Sequence, residues 1–116
     1  NVMTGKVDAI WIPIDNTIAS AFATVVSSNK EAKKPIYPSA TAMLEEGGLA
    51  SVVVDQYDLG VATGKMAAKV LKGAKPADTA VDIFDTGKSV INTKNAKELG
   101  ITVPEDVLKE AGQVIK

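Results

Sequence analysis

Cysteine, histidine and arginine are all absent from this chain of 116 residues. Without cysteine there is no disulfide, no thiolate nucleophile and no zinc–sulfur centre, and the redox compartment stays open. Without histidine the commonest general base and the commonest metal ligand are missing. All 13 basic residues are lysine, which excludes bidentate recognition of phosphate or guanine by arginine. The net charge of −1 asks for neither nucleic acid nor an anionic membrane. No apolar run approaches the ~18–20 residues that span a bilayer. The start, Asn1-Val2-Met3-Thr4-Gly5-Lys6, lacks the apolar segment of a signal peptide. It reads as the tail of a preceding element that Gly5 ends, and the chain as a piece of something longer. The length fits one domain, 1–116, with a sizeable core.

What the chain does have is a repeated design of apolar strand followed by polar cap. Ala9-Ile10-Trp11-Ile12-Pro13-Ile14 runs into Asp15-Asn16-Thr17, and Pro35-Ile36-Tyr37-Pro38 into Ser39. Ala50-Ser51-Val52-Val53-Val54 runs into Asp55-Gln56-Tyr57. Such runs predict strands buried on both faces, as in parallel sheets, and Trp11 is expected in the core. The polar residues after each strand can cap a helix. Ligands of open α/β sheets sit beyond the carboxyl ends of the strands, so three such tips suggest one polar binding edge.

Apolar spacing predicts helices over 16–28, 40–46 (closed by Gly47-Gly48) and 57–72. In the last of these Leu59, Ala62, Met66 and Val70 form the expected buried stripe, opposite Asp58, Lys65, Lys69 and Lys72. Residues 79–84 and 89–92 read as short strands around the turn Asp85-Thr86-Gly87-Lys88. Asn92 or Thr93 would cap a short helix, 94–99, that Gly100 ends. Thr102 with Glu105 forms a capping-box pattern for a final helix that turns Val107, Leu108, Ala111 and Ile115 inward. The alternation through residue 73 implies an α/β fold: an open, mostly parallel sheet with helices on both faces.

Three motifs carry little chemistry. Asp85-Thr86-Gly87-Lys88-Ser89 looks like the tail of a phosphate loop, but Asp82 stands where that loop needs its first glycine. Asp15-Asn16-Thr17 suggests an aspartate phosphotransferase, yet Pro13 occupies the nucleophile position. Asp15 and Asp55 could face one another over magnesium, but no third acid accompanies them. For Asp15, Ser39 and Asp55 the plain role is helix capping, which is compatible with ligand binding. Tyr57, at a strand tip, serves either as a ligand contact or as a ring laid over the first helical turn.

Taken in order, these residues resemble the C-terminal portion of a family of bacterial ABC-transporter substrate-binding proteins. The group is periplasmic-binding-protein-like, type I, and is linked to tryptophan or tyrosine uptake. The resemblance rests on Val7 to Ala21, Pro35-Ile36-Tyr37-Pro38-Ser39, Val54 to Gly60 and Thr63 to Gly73. It continues through Lys75-Pro76-Ala77-Asp78, Asn92, Ala96 to Ile101 and Pro104-Glu105-Asp106. It departs at Gln56, where such proteins often carry a second aromatic, and in extent, since the family has two lobes and this chain holds material for about one.

The resemblance implies a binding module and not an enzyme, without cofactor or metal. Asp15, Asn16, Thr17, Ser39, Asp55 and Tyr57 would line this lobe's side of a cleft. Helix-end amides with Thr17 and Ser39 would hold a carboxylate, Asp15 or Asp55 an ammonium, and Tyr57 an aromatic or apolar side chain. The implied partners are an amino acid, the missing N-terminal lobe and an ABC permease, at an extracytoplasmic or lipoprotein-anchored location. Residues 79–92 would cross the hinge, and strand edges freed from the missing lobe would invite self-association. Two other readings stay open: the ligand-sensing lobe of a transcription regulator, and a small magnesium-dependent phosphotransfer domain using Asp15 and Asp55.

Overall fold

The computed structural model describes residues 5–83 and 87–116. Their contacts divide into two compact units: residues up to Val53 together with Lys88–Lys116, and Val54–Gly87.

The first unit begins with β1 (Ile10–Ile12), shorter than the apolar run because Pro13 ends it. The helix that follows is broken in two, α1 (Asn16–Ser20) and α2 (Phe22–Asn29), meeting at Ala21. Near the break the Ser20 hydroxyl donates to the carbonyls of Asn16 (3.0 Å) and Thr17 (2.9 Å). Asn29 closes the next turn from within, its amide accepting from Lys34 N–H (3.2 Å) and donating to Lys34 O (2.6 Å). Within that turn Lys33 takes φ = 49°.

β2 (Ile36–Pro38) pairs with β1 in parallel, with Ile10 opposite Ile36, Trp11 opposite Tyr37 and Ile12 opposite Pro38. α3 (Thr41–Glu46) follows, ending at Gly47 with φ = 144°. The sheet continues through Leu49, whose N–H donates to Ile36 O (2.7 Å) and whose carbonyl accepts from Asn92 N–H (2.8 Å). β3 (Ala50–Val54) neighbours β4 (Gly87–Asn92), which pairs in parallel with β5 (Gln113–Ile115).

Asn92 caps α5 (Thr93–Leu99), accepting from Asn95 N–H at 2.9 Å, and Gly100 ends it at φ = 72°. The same Asn92 side chain donates to Leu44 O at 2.7 Å, and Asn95 Nδ2 to Gly47 O at 2.5 Å. Two asparagines thus tie the returning strand to the end of α3.

The core is a pair of clusters. Ile12, Phe22, Ile36 and Met43 form one, with Ile18, Val25 and Val26 against it; Leu44, Val53 and Val90 form the other, with Ile115. All of this burial lies on one side of β1 and β2. On the other side Trp11 is 71% exposed and Val52 70%. The expected burial of β1 on both faces, and of Trp11 in the core, is therefore corrected. Alternation along a three-residue strand sends Ile12 inward and Trp11 outward.

Two further expectations change near the C-terminus. α6 (Glu105–Glu110) opens at Pro104 without a side-chain cap, so Thr102 does not close a capping box. The helix stops at Glu110, and Ile115 reaches the core from strand β5 instead.

The second unit holds α4 (Gln56–Leu71), a 3₁₀ turn (Pro76–Asp78) and extended chain to residue 83. Of the expected stripe, Ala62, Met66 and Val70 are the least exposed positions of α4, but Leu59 is exposed and none of the helix's residues is buried. A unit of this size has too little chain to close a core. Residues 80–83 form no strand, and Phe84, Asp85 and Thr86 of the expected strand and turn lie outside the described residues.

Candidate functional site

The parallel ladder of β1 and β2 places both carboxyl ends on one edge, with Ile12 opposite Pro38. Asp15-Asn16-Thr17 leave the first strand there and Ser39 leaves the second. Ser39 is fixed by two bonds to the same carbonyl: its N–H (3.0 Å) and its hydroxyl (2.9 Å) both donate to Ile12 O. With its proton committed, the Ser39 hydroxyl presents lone pairs, which suits it to accept from an ammonium better than to hold a carboxylate.

Asp15 adopts extended backbone and caps α1, its Oδ1 accepting from Ile18 N–H at 2.9 Å. Its neighbours Asn16 and Thr17 are exposed on the first turn. These four residues are brought to a common edge, as expected.

Asp55 and Tyr57 belong to the second unit. Asp55 Oδ1 accepts from the N–H groups of Tyr57 (2.9 Å) and Asp58 (3.3 Å), so it caps α4 as the sequence predicts. The Tyr57 ring is 78% exposed, which removes the reading of a ring packed down over the helical turn.

Sequence reasoning missed an aromatic pair. Trp11 and Tyr37 face each other across the β1–β2 ladder on the exposed side of the sheet. A groove of about 620 Å³ on that side is lined by Trp11, Tyr37, Ser39, Ser51, Val52 and Val107, among others. The matching alternation in Ile10-Trp11-Ile12 and Ile36-Tyr37-Pro38 was the available signal. Among the described residues no group of His, Cys, Asp or Glu is arranged to hold a metal ion. Nor is any helix long and apolar enough to cross a membrane.

Comparison with known proteins extends this picture. The model of a family described as ABC transporter substrate binding protein matches residues 1–115. The tyrosine-binding protein of Clostridioides difficile (strain R20291) is 33% identical over 97 residues, covering 84% of this chain and 28% of that protein. An ABC domain from Streptococcus pneumonia, solved in complex with L-Trp, is 80% identical with a TM-score of 0.92, over 98% of this chain and 39% of that one. A conserved domain protein from Vibrio cholerae is 37% identical with a TM-score of 0.88, over 97% and 38% of the two chains. The chain therefore spans well under half the length of these relatives.

Proposed function

This chain belongs to the family of ABC transporter substrate-binding proteins, and on that premise we propose that it is one ligand-binding lobe of a receptor delivering an aromatic amino acid to an ABC importer. The observation that carries the reading is its likeness to the Streptococcus domain that binds L-Trp. The tyrosine-binding relative supports the same ligand class.

In this reading the whole lobe, 1–116, works with an N-terminal lobe, and its transport partner is a membrane permease. The receptor would act outside the cytoplasm. The proposed ligand contacts are Asp15, Asn16, Thr17, Ser39, Asp55 and Tyr57. A carboxylate such as Asp15 pairs with the ligand ammonium beside the Ser39 lone pairs, while Tyr57 meets the aromatic side chain. The site works by holding its ligand and performs no covalent chemistry.

Micromolar capture is worth about −8 kcal/mol, and half of that corresponds to roughly millimolar binding. One lobe leaves its ligand half wet and still incurs the cost of docking, so the isolated chain should bind at millimolar concentration or more weakly. An amide-shift titration with millimolar L-Trp, L-Tyr, L-Leu and, separately, magnesium tests this. Shifts at residues 15–17, 39–41 and 55–57 with the aromatic amino acids alone support the reading. A response to magnesium at Asp15 and Asp55 would replace it with the phosphotransfer alternative.

A further inference from the structure

The first unit holds a second concave surface, toward the amino end of β2, whereas Ser39 leaves its carboxyl end. It is a groove of about 780 Å³ bounded by α2, the turn after it, the end of α3 and α5. That volume lies within the ~300–1,000 Å³ of small-ligand sites. Lys30, Lys33 and Lys34 line it from the end of α2 and its turn, Glu46 and Glu98 from α3 and α5. Among the described residues none of these five side chains makes a hydrogen bond or an ion pair, so no ammonium here lies within 4.0 Å of a carboxylate. Half-buried Val26 and Leu99 add apolar lining, with Ile36 at 2% exposure.

The turn holds its lysines in place. Asn29, only 6% exposed, donates to the Lys34 carbonyl and accepts from the Lys34 N–H, while Lys33 N–H donates to Asn29 O at 2.8 Å. Lys33 is thereby kept at φ = 49°, backbone that is unfavourable for any residue with a Cβ. Strain of this kind persists where the surroundings enforce it, and it gathers at ligand clamps. The charges narrow the choice of occupant. A simple anion would meet Glu46 and Glu98, a simple cation the lysines, and either juxtaposition of like charge is unfavourable. A flat membrane surface does not enter a groove. A free amino acid carries both charges on one carbon and leaves little chain for the apolar lining. A peptide instead separates its terminal charges by about 3.3–3.6 Å per residue and sets side chains between them.

We propose that this groove is a binding site for short linear peptides with free termini. The peptide carboxylate pairs with Lys30, Lys33 and Lys34, its ammonium with Glu46 and Glu98, and its side chains meet Val26 and Leu99. The site is separate from the edge that carries Asp15 and Ser39, and it does not rest on the receptor reading.

The chain is titrated with alanyl-leucyl-alanine while its amide resonances are followed, then with the N-acetylated and the C-amidated forms of the same tripeptide and with L-Leu. Saturable shifts are expected at Val26, Lys33, Gly47 and Glu98, with a Kd of about 1 mM or tighter. Acetylation and amidation should each weaken binding about fivefold or more. Lys30→Gln with Lys33→Gln should erase the cost of amidation alone, and Glu46→Gln with Glu98→Gln the cost of acetylation alone. Lys33→Gly should weaken binding by about threefold or more while raising the urea midpoint, a split that loss of structure does not give.

The proposal is overturned if no shift saturates by about 10 mM peptide, a concentration at which even weak sites fill. It is equally overturned if the blocked peptides bind as well as the free one, which marks apolar contact alone, or if L-Leu matches the tripeptide, which marks an amino-acid site. Shifts confined to residues 15–17 and 39 would assign the peptide to the other edge and also sink it.

Discussion

Replacing Asn92 with alanine should destabilise the first unit by about 1.5–2.5 kcal/mol. Asn92 is 3% exposed, and its side chain makes both the cap to Asn95 N–H and the bond to Leu44 O. Loss of an N-cap costs about 1 kcal/mol. The Leu44 carbonyl keeps its bond from Gly47 N–H (3.3 Å), so losing the Asn92 bond costs only a further ~0.5–1.5 kcal/mol. The backbone bond from Asn92 N–H to Leu49 O is untouched, so the loss reports the side chain alone.

Asn92→Asp separates the two contributions. Aspartate caps as well as asparagine, but it turns an acceptor toward the Leu44 carbonyl where a donor stood. Burial against that carbonyl raises the folded-state pKa of the new carboxyl above its unfolded value. The native state then binds the extra proton, so the variant should recover relative to Asn92→Ala as pH falls through the folded pKa toward about 4. Urea unfolding followed by circular dichroism gives the free energies, and exchange of the Leu49 and Asn95 amides locates the loss. A cost below about 0.5 kcal/mol for Asn92→Ala, or an Asn92→Asp variant as stable as the parent at neutral pH, would refute the reasoning.

Other substitutions test separate features. Asp15→Ala and Asp55→Ala should each cost about 0.5–2 kcal/mol of local stability through lost caps, read as faster amide exchange at Ile18 and at Tyr57 and Asp58. Lys33→Gly should stabilise by roughly 0.5–1 kcal/mol in urea, because relief of the left-handed backbone at φ = 49° exceeds the added freedom of the unfolded chain. Gly48→Ala should destabilise by about 1–3 kcal/mol, since a Cβ there would lie 2.6 Å from the Pro38 ring and 3.1 Å from the Leu44 backbone; an unchanged urea midpoint would show that β2 can move aside.

Much of the fold is legible because the signals are local. Asp15, Asp55 and Asn92 sit at strand ends with polar side chains, and all three cap the helices that follow. Gly47 and Gly100 end helices at positive φ for the reason their position suggests. Most of the features that escaped depend on distant partners. Nothing within Ile10-Trp11-Ile12 says whether the second face of the strand will be covered, so Trp11 looks like core. The break of the first helix at Ala21 was not legible either. Val107, Leu108 and Ala111 have helical spacing, yet Ile115 is drawn into a ladder beside β4 that only the long return of the chain provides. For the candidate site, the strand tips of Asp15 and Ser39 were legible, whereas the sequence left the exposure of Tyr57 open between two readings. The commitment of the Ser39 proton to Ile12 O was not, because that bond spans 27 residues.

The bond from Asn92 to Leu49 carries a topological consequence. The last residue of β4 meets the residue just before β3, so these neighbouring strands overlap only by running in opposite directions. Chain therefore leaves the first unit after Val53 and re-enters it at Lys88 at one place, as if through the mouth of a hairpin. Loop closure grows slowly with length, about 0.6 kcal/mol per doubling, so stretching a four-residue turn into this excursion costs only about 2 kcal/mol. A protease cut inside residues 54–87 would leave both new ends anchored by β3 and β4. The first unit is thereby built as a chassis that tolerates exchange, nicking or rearrangement of what it carries between those two strands.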